Sequence, residues 1–227
     1  MSTTISHCAA VSLVKAMVWR SSAQPTRRAV LQVQAPDDPP VPADLANWFA
    51  ERAFHFYVAG VGLPRTAAPS ARHAGRDMRP AFADLDAACR RLRRTDGMAN
   101  VIVAAQGRAA VAAALWSDSR KAGEAGHRGR ADALILSAPA WPARGSLHLN
   151  IACPVLVIGG PGANPARTRS QPRPRRPHDP GMSALQLGDH VTWVSLADSD
   201  PDRRLFLDQL GRWLGAYMYG PVRDQLL

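Results

Sequence analysis

The chain has 227 residues, 46% of them hydrophobic and 20% charged, with 28 Lys and Arg against 18 Asp and Glu for a net charge of +10. These proportions exclude a fibrous or wholly disordered protein and suit a soluble globular domain with a full core. The best candidate for a membrane span, residues 8–19, falls short of the roughly 18 apolar residues required and is broken by Lys15; no basic segment precedes it as a secretory signal needs.

Residues 1–24 are weakly patterned and read as a poorly ordered segment or an edge hairpin, with residues 10–19 supplying the strand. Residues 25–220 form one domain, and residues 221–227 a tail. Residues 29–34 (AVLQVQ) predict a strand, stopped by residues 35–42, whose four prolines forbid both ladder and helix. A helix follows over 43–52, where Leu45, Trp48, Phe49 and Arg52 recur at i, i+3, i+4 and i+7, Arg52 packing only its stem. Residues 54–61 (FHFYVAGV) are aromatic and β-branched enough for a strand, and residues 62–80 are a Pro/Arg/Gly loop.

Phe82, Leu85, Cys89 and Leu92 then mark one face of a second helix that Thr95, Asp96 and Gly97 end. Residues 100–104 (NVIVA) are a buried parallel-type strand, followed by a glycine turn and the Ala-rich helix 107–116, whose small side chains allow close packing on a sheet. A polar connection over 117–130 leads to strands at 131–137, 153–159 and 190–196. Residues 161–181 hold Pro and Arg at a density that predicts a mobile surface loop. Leu205, Leu210, Trp213, Leu214 and Tyr217 make the last amphipathic helix. Strands alternating with helices imply right-handed βαβ units in a doubly wound, mainly parallel sheet.

That order, with DLANWFAERAFHFYVAGVG, FADLDAACRRLR, ADALILSAPAWP, CPVLVIGG and DHVTWVSLADSD in sequence, resembles the α/β-hydrolase superfamily, in particular its small bacterial serine hydrolases (esterases, lipases and peptidases), over residues 27–214. The resemblance implies an α/β-hydrolase sheet without a sizeable lid, and a GxSxG elbow that exposes a nucleophilic Ser on a strand-to-helix turn. Here the turn reads Ala105, Gln106, Gly107, Arg108, Ala109, with Gly107 at the nucleophile's position, or Gln106 in an alternative register. Neither is a nucleophile that a neighbouring base can activate. After residues 153–159 the nearest match to the acid is Asn164, and after residues 190–196 Ser199 or Asp200 stands where the histidine belongs. Gln34, Ala35 and Pro36 replace the HG oxyanion motif. Four departures at four separate places make the implied triad degenerate.

The leading expectation is therefore a pseudo-enzyme that binds or scaffolds, its ligand, a small molecule or a protein, held at Gln106, Gly107 and Arg108 by the N–H groups and dipole of the Ala-rich helix. A purely structural origin for Gly107 stands beside it, because an elbow strains any residue with a Cβ. The alternative is an active hydrolase of small esters or amides, with Ser137 or Ser199 as nucleophile and His190 as base.

His55 alternates with Phe54 and Phe56 on the predicted strand and faces solvent or a helix, His178 and Asp179 are adjacent in the Arg/Pro loop and cannot fix each other's geometry, and His7, His73, His127 and His148 lack partner patterns; no HxH, HExxH or Cys/His spacing points to a metal, and no cofactor is implied. The glycines of Gly159, Gly160 and Gly162 lack the GKS/T and clear helix of a nucleotide loop. Cys8, Cys89 and Cys153, odd in number and widely spaced, fit neither a disulfide framework nor a CxxC site and suggest a reducing cytoplasm. Lys15 and Lys121 are the only lysines, so 26 of the 28 basic residues are Arg, a skew that fits a GC-rich coding sequence. Their scatter and the missing aromatic platform argue against nucleic-acid binding, which requires a contiguous basic face and predicts affinity falling steeply with salt. Trp213, Leu214, Tyr217, Met218 and Tyr219 exceed what one helix face buries, which allows a homodimer contact, with core packing as the default.

Overall fold

Alternating β-branched runs and amphipathic segments become a doubly wound sheet in the computed structural model, which describes residues 17–19, 26–38, 40–63, 78–118, 131–141, 146–159, 184–186, 191–195 and 203–219. In chain order these form β1 (Met17–Trp19), β2 (Arg28–Gln34), α1 (Ala43–Glu51), β3 (His55–Gly60), α2 (Arg79–Arg94), β4 (Asn100–Gln106) and α3 (Gly107–Trp116). There follow β5 (Ala133–Ser137), β6 (Ser146–His148), β7 (Val155–Gly159), β8 (Ala184–Gln186), β9 (Val191–Ser195) and α4 (Arg203–Tyr219).

One sheet runs in the order β1-β3-β2-β4-β5-β7-β9; six strands are parallel, and β1 lies antiparallel on the edge against β3. This is an α/β fold of the kind expected. From β2 the chain moves outward to β3, returns past β2 to β4, and then advances through β5, β7 and β9. Because right-handed crossovers in opposite directions put their helices on opposite faces, α1 packs on one side and α2 and α3 on the other. Val30, Phe56, Ile102, Ile135 and Leu156 meet α1 and α4 on the first face, through Phe49, Leu210 and Trp213. Leu31, Tyr57, Val103, Leu136 and Val157 meet α2 and α3 on the second.

Each helix follows from its sequence. The four residues expected to mark a face of α2 include three that are buried, Leu85, Cys89 and Leu92, with Phe82 partly so. The helix stops where Gly97 takes φ +68 and the Met98 N–H reaches back to the Leu92 carbonyl at 2.9 Å. Residues 109–116 of α3 are all buried, so this helix is apolar all round and its alanines let it approach both the sheet and α2, where Trp116 Nε1 donates to Asp86 at 2.8 Å. In α1 the expected stripe holds for Phe49, which is buried, and for Leu45 and Trp48, which pack partly buried against the core; buried Ala46 joins it, while Arg52 is exposed beyond the helix end with its guanidinium 3.9 Å over the Trp48 ring.

Some expectations need correction. Ser117 and Asp118, read as the start of a polar connection, are buried, because Asp118 accepts the Asn150 N–H at 3.1 Å and bridges to Ile151. A second sheet of two parallel strands, β6 and β8, was not anticipated. Core packing, the default expectation for the end of the last helix, holds for Trp213 and Leu214, which are buried, and for Tyr217, whose ring stacks on Trp213 at 5.5 Å. The Tyr217 hydroxyl accepts from Asn100 and donates to the Asp132 carbonyl, tying α4 to the amino edge of the sheet. The Arg/Pro segment 161–181 and most of residues 1–24 lie outside the described residues. Among the described residues, no helix is long and apolar enough to cross a membrane.

Burial pushes the Cys89 thiol up from 9.0 to about 12. The folded state then keeps a proton that the unfolded chain releases above pH 9, so stability is whole below that value and falls as the pH rises toward 12. Urea unfolding of Cys89→Ala should lose stability between pH 9 and 11 less steeply than the wild type, by roughly 1 kcal/mol per pH unit. Equal slopes would contradict a buried thiol.

Candidate functional site

Reversal of the winding direction opens a crevice at the carboxyl ends of β2 and β4, the place where parallel α/β sheets bind ligands. Val33 pairs with Ala105 and Gln106 with Ser137, so Gln34, Gln106 and Ser137 stand at one level on three adjacent strands. They alternate with the residues facing α2 and α3 and therefore share the α1/α4 face. Gln106 is exposed; Gln34 and Ser137 are half-buried.

No linker separates β4 from α3. Gln106 is extended (φ −124, ψ 154), and Gly107 turns the chain with φ +55, a left-handed value that L side chains adopt at a cost. A Cβ built on Gly107 would meet nothing within 4 Å, so space is not the constraint and backbone conformation is. Ala105 and Ala109, flanking the turn, are buried at 2% and 0% exposure, where only small side chains let strand and helix close up. No side chain caps α3, which leaves its first N–H groups and the positive end of its dipole facing the crevice beside half-buried Arg108.

Two loops border the turn. After β5, Ala138 takes φ +40 and donates to the Ile158 carbonyl at 2.6 Å, and Ala140 donates to the Gly107 carbonyl at 2.9 Å. This second left-handed residue was not singled out in the sequence, since alanine carries no turn signal. The same loop brings in Trp141, whose indole Nε1 is buried with no hydrogen-bond partner among the described residues. After β2, the Ala35 N–H donates to the Asp38 carboxylate at 2.6 Å, and Pro36 has no N–H. The loop after β2 thus spends its first N–H on an acid.

Among the sequence candidates, the structure brings together Gln106, Gly107, Arg108 and Ser137 at this edge, with Ala105 and Ala109 beneath. Ser199, His190 and Asn164 lie outside the described residues, as do His178 and Gly160. His55 opens β3 and pairs with Ala29, which places it at the amino edge, away from the crevice. Cys89 is a buried thiol. No group of three or more His, Cys, Asp or Glu among the described residues is arranged to hold a metal ion.

No protein-family model matches the sequence, and no curated protein matches it. Solved structures do resemble the fold. An alpha-beta serine hydrolase homologue from Coxiella burnetii superposes with a TM-score of 0.53 at 12% identity, over 96% of this chain and 98% of that one. Esterase 2 of Thermogutta terrifontis, in its form phosphonylated by sarin, gives 0.54 at 13% identity over 95% of each chain. Its propionate-bound form gives 0.51 at 14%, over 95% of this chain and 94% of that one. At these identities the likeness is one of fold: the chain has the α/β-hydrolase architecture over nearly its whole length.

Because Gly107 occupies a left-handed turn, Gly107→Ala should destabilise the protein by roughly 1–2 kcal/mol through backbone strain alone. Thermal unfolding should show Tm lower by roughly 2–8 °C. An unchanged Tm would contradict the turn geometry.

Proposed function

We propose that this chain is a pseudo-enzyme, a single α/β-hydrolase-like domain over residues 25–220 that has lost hydrolytic activity and binds a ligand at the carboxyl edge of its sheet. The observation that carries this reading is glycine, with φ +55, at the strand-to-helix turn where the fold family presents its nucleophile. A turn of this kind aims whatever side chain it bears at the crevice, and glycine has none to attack with. The Asp38 carboxylate on the Ala35 N–H removes a donor that acyl transfer would use.

Binding elements persist where reacting ones do not. The uncapped N–H groups of α3 and its dipole favour a carboxylate or carbonyl oxygen, Arg108 adds a cation, and Gln106 supplies a donor and an acceptor on the exposed side. Oriented dipoles without a nucleophile and base hold a ligand without turning it over. The odd number and wide spacing of Cys8, Cys89 and Cys153 suit a cytoplasmic home. The competing hydrolase reading draws on Ser137, which stands beside Gln106 in register.

Native protein should hydrolyse p-nitrophenyl acetate no faster than a heat-denatured sample, while titration with sodium acetate should shift the amide resonances of residues 106–109, less so in Arg108→Gln. Turnover that disappears in Ser137→Ala would replace this reading with the hydrolase one. No turnover and no shifts would leave Gly107 as a structural feature alone.

A further inference from the structure

We infer that the outer face and carboxyl end of α2, with Arg27, form a docking surface for the phosphate backbone of duplex nucleic acid. The carboxyl end of α2 is at the other end of the sheet from the crevice, and the proposal stands independently of what Gly107 does. Arg79, Ala83, Arg90 and Arg94 recur at i, i+4, i+11 and i+15 with Arg91 beside them, all five exposed and opposite the buried Ala81, Leu85, Cys89 and Leu92, while the half-buried Asp86 flanks the row at i+7. Arg27 joins from the start of β2, its Nε donating to the Gly97 carbonyl at 2.9 Å just past the helix end. Arginines that look scattered along the sequence are thus gathered into a contiguous basic face.

Of the nearby acids, Asp132 is neutralised by an arginine, while Asp84 and Asp86 are held by neutral donors and keep their charge. Asp84 accepts the Gly62 N–H at 2.8 Å, Asp86 accepts Trp116 Nε1 at 2.8 Å, and Asp132 binds Arg93 at 2.8 Å and the Val101 N–H at 2.6 Å. Among the described residues, Arg27, Arg90, Arg91 and Arg94 have no carboxylate partner. Arginine at a helix carboxyl end has an ordinary explanation in the dipole, but that end carries only about half a negative charge. Counting Asp86 and Asp96 as well, the four arginines leave a local excess of roughly +1.5.

The shape and chemistry of the face select the partner. Arg90 and Arg94 lie about 6 Å apart along a rigid axis, and Arg79 about 16 Å further back. Arginines at regular helical spacing match a partner whose anions are regularly spaced and can be held two oxygens at a time, as phosphates are. A bilayer surface needs large apolar side chains among the cations, and the exposed neighbour here is Ala83. With no aromatic side chain in the row, stacking on single strands has no platform, which leaves backbone contacts to a duplex without base readout.

Fluorescence anisotropy of the full chain with a fluorescein-labelled 20-base-pair duplex, from 50 to 200 mM salt, tests this directly. Replacing Arg90, Arg91 and Arg94 together by Gln should weaken binding and make the plot of log affinity against log salt shallower by about 2.7, because each phosphate contact contributes about 0.9 to the slope. Comparing slopes isolates these residues from every other arginine. The Arg52→Gln, Arg212→Gln double variant, whose sites are elsewhere and ion-paired, should keep the wild-type slope. If circular dichroism shows the triple variant misfolded, Arg90→Gln and Arg94→Gln singly should each reduce the slope by about 0.9. Absent binding at 50 mM salt, a wild-type slope in folded triple variant, or an equal loss in the double variant would overturn the proposal. So would displacement of the duplex by poly-glutamate at equal charge, which would indicate an acidic protein partner, or equal affinity for phosphatidylserine vesicles, which would indicate a membrane surface.

Discussion

Between β4 and α3 the chain must pass from a strand buried on both faces to a helix buried all round, with no residue to spare for a linker. Gln106 is still extended and Gly107 already belongs to the helix, so the change of direction falls on one left-handed residue. The packing around it depends on that compression. Ala105 and Ala109 close the gap on either side, the wholly buried residues 109–116 follow, and the Ala140 N–H clamps the Gly107 carbonyl from the next loop. A longer or right-handed connection would move α3 off both the sheet and α2, and Trp116 would lose Asp86.

The same compression fixes what the turn offers. The turn has to be sharp whether or not it bears a nucleophile, and a sharp turn into a helix leaves N–H groups aimed outward. Glycine is the residue that adopts such a turn most cheaply, so losing a side chain here relieves strain while leaving the donors in place. Acyl transfer needs a second set of donors across the crevice. On that side the Ala35 N–H is held by Asp38 and Pro36 has none to give.

Much of the fold was legible because local chemistry and tertiary packing agree. The bounds of α3 coincide with Gly107 and Trp116, and β2, β4 and the buried face of α2 follow from periodicity. Where local signals are short or mute, reading stops. Strands β6 and β8 have three residues each, too few for any period, and Ala138 reaches φ +40 because its neighbours hold it there. Asp118 has a polar side chain, yet it is buried to receive the Asn150 N–H from a residue 32 positions away. The turn at residues 105–109 was legible as a site because strand, glycine and helix adjoin in sequence. The arginine face was not: Arg27 meets the end of α2 only through the parallel pairing of β2 with β4, which no local pattern encodes.

The central claim is that the fold's catalytic turn is intact and empty of a nucleophile. Treating native protein with a fluorophosphonate probe, beside a heat-denatured control and the Gly107→Ser variant, and mapping any adduct by mass spectrometry addresses it most directly. The account predicts no adduct on folded wild type, with labelling of the variant placing the new serine at the turn. A mapped adduct on native wild type that is lost on denaturation would contradict it and would name the residue that reacts.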